Sequence, residues 1–156
     1  MYKRQLLRRS GLTLATMESC TGGLLASTIT DAPGSSHYFR GGLVSYATEV
    51  KVAWDISREV VEAHGVISAQ CAREMARAAR ERLAADIGIG VTGVAGPDEE
   101  EGKPAGTVHI ALDDGSGEAR VVSYAFPQAR QDVKRRAVTT ALSLLRRVLS
   151  GSGTQS

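Results

Sequence analysis

The hydrophobic residues of this chain follow two different spacings, and each spacing predicts a different type of secondary structure. In some segments apolar residues alternate with polar or small ones, or run unbroken for a few positions, as is typical of strands. In others they recur every three or four positions, which predicts amphipathic helices with one buried face. The predicted strands span residues 12–17, 42–47, 86–91, 107–112 and 120–126. The predicted helices span residues 2–10, 21–30, 48–54, 57–63, 68–84 and 131–149.

Turn and cap residues mark the ends of these elements. Ser57 and Ser68 precede helical patterns and are favoured N-cap residues, whereas Gly65 can end a helix because glycine tolerates the left-handed conformation. The sequence DDGSGE between the last two strands predicts a hairpin. Because helices and strands alternate along the rest of the chain, we expect an α/β fold: a single three-layer α/β/α domain with a mixed, mostly parallel sheet. This domain spans residues 1–149, and residues 150–156 (SGSGTQS) are predicted to form a disordered tail.

Length and composition narrow the classes of function. A chain of 156 residues suits one domain with one core, and its net charge of +2 is too small to indicate a nucleic-acid partner. No apolar stretch is long enough to span a bilayer, and the N-terminal charges are not followed by the apolar region of a secretory signal. We therefore expect a cytoplasmic protein with no membrane partner. The cysteines and histidines have neither a metal-binding spacing nor the pattern of a disulfide framework; they are Cys20, Cys71, His37, His64 and His109.

The first segment with chemical potential is residues 18–23 (ESCTGG), where a predicted strand turns into a helix. Ligands of open α/β sheets bind at the carboxyl ends of strands, and a helix start offers unpaired N–H groups and a positive dipole end. The N–H groups near Thr21 and Gly22 could hold a negative oxygen, as in an oxyanion hole. Ser19 and Cys20 are then candidate nucleophiles, although an ordinary capped helix explains the segment equally well.

The second segment is residues 45–51 (SYATEVK), at the end of the second predicted strand. A serine nucleophile needs a base, and a lysine can serve if burial or nearby cations lower its pKa. Lys51 follows the strand end by about one helical turn and could reach the same crevice, while Tyr46 could donate a hydrogen bond or stack on an aromatic ring. An isolated lysine is far more often a solvated surface residue, so the segment by itself leaves that alternative open.

The third segment is residues 92–97 (TGVAGP). Gly93 and Gly96 allow close approach of the backbone to a ligand, although glycines also make ordinary turns. The loop from Gly93 to Gly106 is long for a compact domain, which is typical of functional loops. The acidic run 98–101 (DEEE) within it is more typical of a solvated loop than of a metal site.

The fourth segment is the start of the last predicted helix, where four cations face a single acidic residue, Asp132. Cations are disfavoured at a helix N-terminus, and a broken local rule is often a sign of function. An anionic substrate group such as a phosphate would account for the cluster, and so would ion pairs with the acidic run 98–101. For Arg130 we favour the functional interpretation. The four cations are Arg130, Lys134, Arg135 and Arg136.

Five sequence blocks together resemble a known family. They are ATMESCTGGLLAS, APGSSHYFRGGLVSYATEVK, HGVIS, GVTGVAGP and KPAGTVHIAL. On these blocks, from Leu12 to about Leu145, the chain resembles the C-terminal domain family of the competence/damage-inducible protein CinA. The resemblance implies an α/β/α fold and, for stand-alone members, an amidohydrolase that converts nicotinamide mononucleotide to nicotinate mononucleotide and ammonia. It implies a small-molecule nucleotide substrate and no metal or organic cofactor, and it is compatible with a homodimer.

The resemblance also implies roles for individual residues. Ser19 would be the nucleophile and Lys51 its base, while Tyr46 would orient the base or the substrate ring. Arg130, with the loop from Gly93 to Gly96, would hold the ribose phosphate. The implied substrate-binding residues are Glu18, Thr21, Gly22, Gly23, Thr48, Gly93, Gly96 and Arg130.

Some positions depart from the family pattern. Thr48 stands where an asparagine is frequent, Met17 where a small residue is usual, and Gln128-Ala129-Arg130 where the family has Gly-Asp-Arg. The acidic run 98–101 replaces a frequent glycine pair. These changes concern the rim of the expected pocket, and hence substrate identity and turnover more than fold. Two further hypotheses are a nucleotide-binding module without catalysis, and an amidase for a related carboxamide with Cys20 as nucleophile.

Overall fold

A five-stranded sheet lies at the centre of the computed structural model, which describes residues 2–151 and the side chains of residues 4–151. The strands are β1 (Leu14–Glu18), β2 (Phe39–Val44), β3 (Ile87–Gly93), β4 (Thr107–Asp113) and β5 (Arg120–Ala125). Their spatial order is β2-β1-β3-β4-β5. β1 pairs in parallel with β2 and β3, whereas β4 is antiparallel to both of its neighbours. β4 thus runs against the other strands, and the sheet is mixed and mostly parallel in strand direction, as predicted.

Helices cover both faces of this sheet and complete the three layers. They are α1 (Tyr2–Ser10), α2 (Leu24–Thr30), α3 (Thr48–Ala53), α4 (Arg58–His64), α5 (Ala69–Arg82) and α6 (Arg130–Gly151), with a short 3-10 helix at Ser35–His37. α1, α2 and α6 contribute to the core on one face, and α4 and α5 to the core on the other. Among the described residues, none of these helices has the length and apolar character needed to cross a membrane. The predicted α/β/α architecture is confirmed.

Elements near the candidate chemistry differ from their predicted boundaries. β3 runs to Gly93, two residues beyond its predicted end, so Thr92 and Gly93 belong to the strand. α2 begins three residues later than predicted, because Gly22 and Gly23 have positive φ angles of 60° and 103° and form a turn in place of the first helical turn. β2 begins and ends three residues earlier than the predicted 42–47, because its register is set by pairing of Phe39 with Leu14 and of Val44 with Glu18 at the ends of β1. An edge strand is positioned by its neighbour, which its own hydrophobic pattern does not reveal.

The last helix also differs from its predicted span of 131–149. It begins at Arg130 and continues to Gly151, so the first two residues of the predicted tail are helical. The remainder of that tail, 152–156, lies outside the described residues.

The predicted helix caps are present. The Ser57 hydroxyl accepts a hydrogen bond from the amide of Val60 (3.2 Å), and the Ser68 hydroxyl accepts one from the amide of Cys71 (3.1 Å). Gly65 ends α4 with a φ of 77°. These local signals were readable because each concerns residues within three positions of one another.

β3 shows how the sheet accommodates close packing of a helix. Its isoleucine and valine side chains enter the core shared with α6. The intervening Gly88 and Gly90 face α5: a Cβ atom on Gly88 would lie 1.9 Å from the carbonyl oxygen of Ala76, and one on Gly90 would lie 2.4 Å from that of Ala72. The backbone of α5 therefore packs directly on β3. A side chain at either glycine would prevent this contact.

The strand order predicts a crevice beyond the carboxyl ends of β1, β2 and β3. The chain passes from β1 to β2 on one side and then returns across β1 to β3 on the other. In open α/β sheets, ligands bind beyond the carboxyl ends of strands at such a reversal of order. The segments that follow β1, β2 and β3 are those that carry the candidate residues, so the topology brings them to one edge of the sheet.

Candidate active site

Ser19 is the first residue after β1, at the reversal of strand order. Its amide donates a hydrogen bond to the carbonyl oxygen of Val91 on β3 (2.9 Å), and its carbonyl oxygen accepts one from the amide of Gly22 (3.0 Å). This sharp turn leaves Ser19 at the cleft with 9% of its surface exposed. The Gly22 amide is therefore already engaged and does not serve as the predicted oxyanion donor. The Thr21 amide has no acceptor among the described residues.

Glu18 occupies the anion position that the sequence predicted at the start of α2. Its buried carboxylate accepts hydrogen bonds from the amides of Leu25 (2.7 Å) and Ala26 (3.0 Å) and from the hydroxyl of Thr21 (2.6 Å). An anion at a helix N-terminus is stabilised by these N–H groups and by the helix dipole. Because the chain supplies its own carboxylate here, Glu18 and Thr21 hold the turn in place, and the predicted contact of substrate with the helix start is not available.

Lys51 on α3 is buried and points at Ser19. Only 1% of the residue is exposed. Its Nζ atom donates a hydrogen bond to the Oγ atom of Ser19 (2.9 Å), a second to the carbonyl oxygen of Ser45 and a third to that of Tyr46 (3.0 Å). An ammonium group has three donors, so all three are satisfied and the nitrogen is held in a defined position. The hypothesis of a solvated surface lysine is wrong.

The surroundings of Lys51 change the pKa of its amine. Burial lowers the pKa of Lys51 below the ordinary lysine value, while the neighbouring Cys71, Cys20, Glu100 and Glu101 act in the opposite direction. A lysine with a lowered pKa, in contact with a serine hydroxyl, is the arrangement in which lysine acts as a general base toward serine.

A cleft of about 580 Å³ opens above this pair. It brings together most of the sequence-predicted site residues, from four segments of the chain. Val66 and Ile67, which the sequence interpretation did not assign to the site, form part of its wall. Their place in the HGVIS block could have indicated a role in the site, but valine and isoleucine side chains have no reactive or charged group that would suggest one. The predicted residues that line the cleft are Ser19, Tyr46, Thr48, Lys51, Gly93, Gly96 and Arg130.

The other predicted site residues, Glu18, Thr21, Gly22 and Gly23, are not among those that line the cleft and instead shape the turn behind Ser19. Gly93 does line it, but its lack of a side chain also serves packing, since a Cβ atom there would lie 2.4 Å from the carbonyl oxygen of the facing strand residue Thr107.

Arg130, at the start of α6, joins three segments at the mouth of the cleft. Its Nη1 atom donates to the carbonyl oxygen of Gly96, and its Nη2 atom donates to the hydroxyl of Tyr46 (3.0 Å). Tyr46 is 59% exposed, so this contact lies at the rim. A guanidinium group has five N–H donors in a planar fork, which leaves Arg130 with capacity to bind an anionic oxygen.

The remaining cations of this helix start do not form one anion site. Arg135 pairs with Asp132 on its own helix (3.6 Å), and the Arg136 guanidinium lies over the rings of Phe126 (4.0 Å) and Tyr124 (5.3 Å). The alternative hypothesis, ion pairs with the acidic run 98–101, is not borne out by the ion pairs of the described residues. Arg130 is thus the member of the cluster that lines the cleft. Lys134 lies instead beside the turn at Gly22, where its Nζ atom would be 4.0 Å from a Cβ atom on that glycine.

Cys20 also borders the cleft but is poorly suited to nucleophilic attack. It is 5% exposed, and burial raises the pKa of its thiol to about 12. The thiolate is the nucleophilic form of cysteine, and at neutral pH this side chain is protonated. Within the described part of the chain, no group of three or more His, Cys, Asp or Glu side chains is placed to hold a metal ion.

Comparison with known families decides the relationship of this chain. The family model described as the CinA C-terminal domain matches residues 3–149. The chain belongs to the CinA C-terminal domain family. Two relatives called CinA-like protein, from Frankia casuarinae and Geobacter sulfurreducens, are each 47% identical to it over 147 residues, or 94% and 93% of this chain. The chain spans about a third of the length of these curated relatives, 34% and 35% respectively.

Solved structures of the CinA superfamily share the fold. The competence-damaged protein (CinA) superfamily protein from Escherichia coli is 35% identical, with a TM-score of 0.89 over 93% of this chain and 85% of its own. The competence or damage-inducible protein from Enterobacter asburiae is 34% identical, with a TM-score of 0.91 over 95% of this chain and 94% of its own. The described domain therefore has the CinA-family fold over almost its whole length.

Proposed function

We propose that this CinA-family domain is an amidohydrolase that converts nicotinamide mononucleotide to nicotinate mononucleotide and ammonia, through a Ser19–Lys51 pair and without a cofactor. The observation that carries the proposal is the 2.9 Å contact between the buried Lys51 Nζ atom and the Ser19 Oγ atom, at the floor of a cleft beyond the carboxyl ends of β1, β2 and β3. The family includes nicotinamide-nucleotide amidases, which supports the choice of substrate. We expect the reaction to take place in the cytoplasm.

The proposed reaction has two stages. Neutral Lys51 takes the proton of the Ser19 hydroxyl, whose Oγ atom attacks the carboxamide carbon and forms a tetrahedral oxyanion. Lys51 then gives the proton to the departing nitrogen, the C–N bond breaks, and ammonia leaves an acyl-serine ester. Water, deprotonated by Lys51, attacks this ester and releases the carboxylate product with Ser19 restored. Hydrogen-bond donors that face the cleft beside Ser19 would stabilise the oxyanion, a term of about 3–4 kcal/mol per donor in studied hydrolases.

Other residues of the cleft would bind the charged part of the nucleotide. Arg130 lies at the mouth with donors to spare and would bind the phosphate, while the Tyr46 hydroxyl that it contacts would help to orient the nucleotide. Arginine suits this task because its planar fork matches the geometry of phosphate oxygens.

The deciding experiment is ammonia release from nicotinamide mononucleotide by the wild type and by Ser19→Ala. We expect the wild type to release ammonia and the variant to lose activity by roughly 10⁴-fold or more, as when the nucleophile of other serine hydrolases is removed. Ser36→Ala, at an exposed serine outside the cleft, is the matched control and should retain full activity.

Other outcomes identify the competing functions. If Ser19→Ala kept its activity and Cys20→Ser lost it, the nucleophile would be the thiol, against the raised pKa of Cys20. If the wild type released no ammonia but gained thermal stability with the nucleotide, the domain would be a binding module without catalysis.

A further inference from the structure

The loop between β3 and β4 forms one wall of the cleft and then folds back as a tight hairpin. The amide of Glu100 donates to the carbonyl oxygen of Lys103 (3.0 Å), and the amide of Lys103 donates to that of Glu100 (2.9 Å). The two central residues, Glu101 and Gly102, have positive φ angles of 52° and 72°. This is the pattern of a type I′ turn, and its first central position is unfavourable for a glutamate. A reason for Glu101 at this place lies in what its side chain contacts.

Glu101 and Lys103 both form hydrogen bonds with the connection between α4 and α5. The Glu101 carboxylate accepts hydrogen bonds from the amides of Val66 (3.1 Å) and Ile67 (2.8 Å). The Lys103 Nζ atom donates to the carbonyl oxygens of Ile67 (2.5 Å) and His64 (3.5 Å), and lies 3.7 Å from the Glu101 carboxylate. We call these contacts of Glu101 and Lys103 with residues 64–67 the clasp.

Gly65 leaves the room that the clasp needs. A Cβ atom on this residue would lie 2.7 Å and 2.8 Å from the two carboxylate oxygens of Glu101, and its φ of 77° also disfavours a side chain. The Thr92 hydroxyl, at the end of β3, donates to the carbonyl oxygen of Val66 (2.7 Å) and ties the same connection to the sheet. The connection is therefore held from two sides, with its amides turned toward Glu101.

Both parts joined by the clasp are walls of the cleft. Val66 and Ile67 line it, and so do residues 94–100 of the loop. Gly96 in that loop accepts the hydrogen bond from Arg130. The position of the loop thus determines where the proposed phosphate-binding group stands relative to the Ser19–Lys51 pair.

We propose that Glu101 is a positioning residue of the active site, because its carboxylate holds the loop wall of the cleft against residues 65–67. The proposal rests on the proposed function for its effect on turnover. Glu101 touches neither Ser19 nor Arg130, and it acts through the wall that carries Gly96 and through its negative charge.

The charge of Glu101 provides a readout that a purely structural contact would not change. Burial lowers the pKa of Lys51. Cys71 on α5, Cys20 after β1, and Glu100 and Glu101 on the loop raise it, in decreasing order of effect. Glu101→Gln removes one of these charges and keeps the shape of the side chain. The pKa of Lys51 should therefore fall, and the acid limb of the pH–rate profile should move to lower pH.

The test compares Glu101→Gln with Glu62→Gln, which removes one negative charge from an exposed position on α4. The pKa of the Lys51 ammonium group is followed by NMR, and ammonia release is followed across pH with nicotinamide mononucleotide. We expect a lower Lys51 pKa and a KM raised by roughly tenfold in Glu101→Gln, less than the roughly 100-fold effect that a ~1 Å misplacement of a positioned group can have. Glu62→Gln should match the wild type in both. Equal pKa values in the two variants, or an unchanged KM, would overturn the proposal.

A second variant separates position from charge. Gly65→Ala keeps the charges of Glu101 and Lys103 but forces the Glu101 carboxylate away from the amides of Val66 and Ile67. We expect a raised KM and faster hydrogen exchange of those two amides, in the folded protein. Unchanged exchange rates would contradict the clasp. The NMR titration and the hydrogen exchange do not require turnover. If the wild type released no ammonia, the proposed function would fail. These two measurements would still decide whether Glu101 holds the loop wall against residues 65–67.

Discussion

The ammonium group of Lys51 lies where lysine side chains are rarely found, in the interior and out of contact with bulk water. Its three donors are satisfied by the Ser19 hydroxyl and two backbone carbonyl oxygens. None of these partners is a carboxylate, and burial lowers the pKa of Lys51 although Glu100 and Glu101 nearby act in the opposite direction. The SYATEVK motif indicated which lysine to consider, but only the structure shows that the carbonyl oxygens of Ser45 and Tyr46 hold its Nζ atom against Ser19.

The stability of the protein should depend on pH through this residue. Burial lowers the pKa of Lys51 in the folded state below its unfolded value, which is about 10.4 for lysine. Between these two pKa values the unfolded chain binds the additional proton, so the free energy of unfolding rises with pH in that window and falls as pH decreases through the folded pKa. We expect urea unfolding to show wild-type stability rising relative to Lys51→Met as pH increases toward 10. Parallel pH profiles of the two proteins would show that Lys51 titrates normally.

Other residues of the site illustrate the limit of motif reasoning at this scale. Glu18 belongs to the same motif as the proposed nucleophile Ser19, and the family resemblance implied that it binds substrate. The structure instead uses its carboxylate to fill the N-terminus of α2. A carboxylate and an incoming anion are alternatives for the same N–H groups, and a sequence motif does not reveal which of the two is present.

At the scale of elements, the contact of α5 with β3 places the wall of the cleft. α5 begins directly after the connection that carries Val66 and Ile67, so its distance from the sheet determines where that connection lies. Gly88 and Gly90 allow the helix backbone to approach the strand directly. The short apolar run at residues 86–91 predicted the strand itself, because such a pattern depends only on neighbours in sequence.

Gly88→Ala tests this packing. Its Cβ atom would collide with the Ala76 carbonyl oxygen, and because that oxygen belongs to the helix backbone the helix must move. We expect the free energy of unfolding to fall by about 3 kcal/mol or more, measured by urea denaturation. Ile89→Val in the same strand is the reference, with an expected loss of about 1 kcal/mol. If Gly88→Ala lost no more than the reference, the direct contact of α5 with β3 would be wrong.

At the scale of the whole molecule, the site is assembled from segments that are distant in sequence. Ser19 follows β1, Lys51 follows β2, Gly96 follows β3, and Arg130 begins the helix after β5. The carboxyl ends of β1, β2 and β3 meet at one edge because these strands are parallel, and β5, which runs in the same direction, delivers Arg130 to that edge. Because β4 is antiparallel to both neighbours, β5 follows it after a short hairpin and again runs in the direction of β3.

The assembled cleft should distinguish a phosphorylated substrate from an unphosphorylated one. We expect Arg130→Ala to lower kcat/KM for nicotinamide mononucleotide by about 10–100-fold, the range for loss of a hydrogen bond to a charged group. For nicotinamide riboside, which has no phosphate, the same change should have an effect within about twofold. Ammonia release from both substrates measures this. Arg135→Ala, at an exposed arginine paired with Asp132, is the control. An equal loss with both substrates would mean that Arg130 supports the cleft and does not bind phosphate.

The order of strands and helices, the two serine caps and the motif residues of the site were determined by the sequence itself, because each depends on residue type and on neighbours a few positions away. The register of β2, the turn at Gly22 and Gly23 and the true role of Glu18 were decided by tertiary structure. They depend on which strand, amide or carboxylate a distant segment brings within hydrogen-bond distance. The same holds for the proton affinity of Lys51 and for the clasp of Glu101, since burial and long-range pairing arise only when the whole chain has folded.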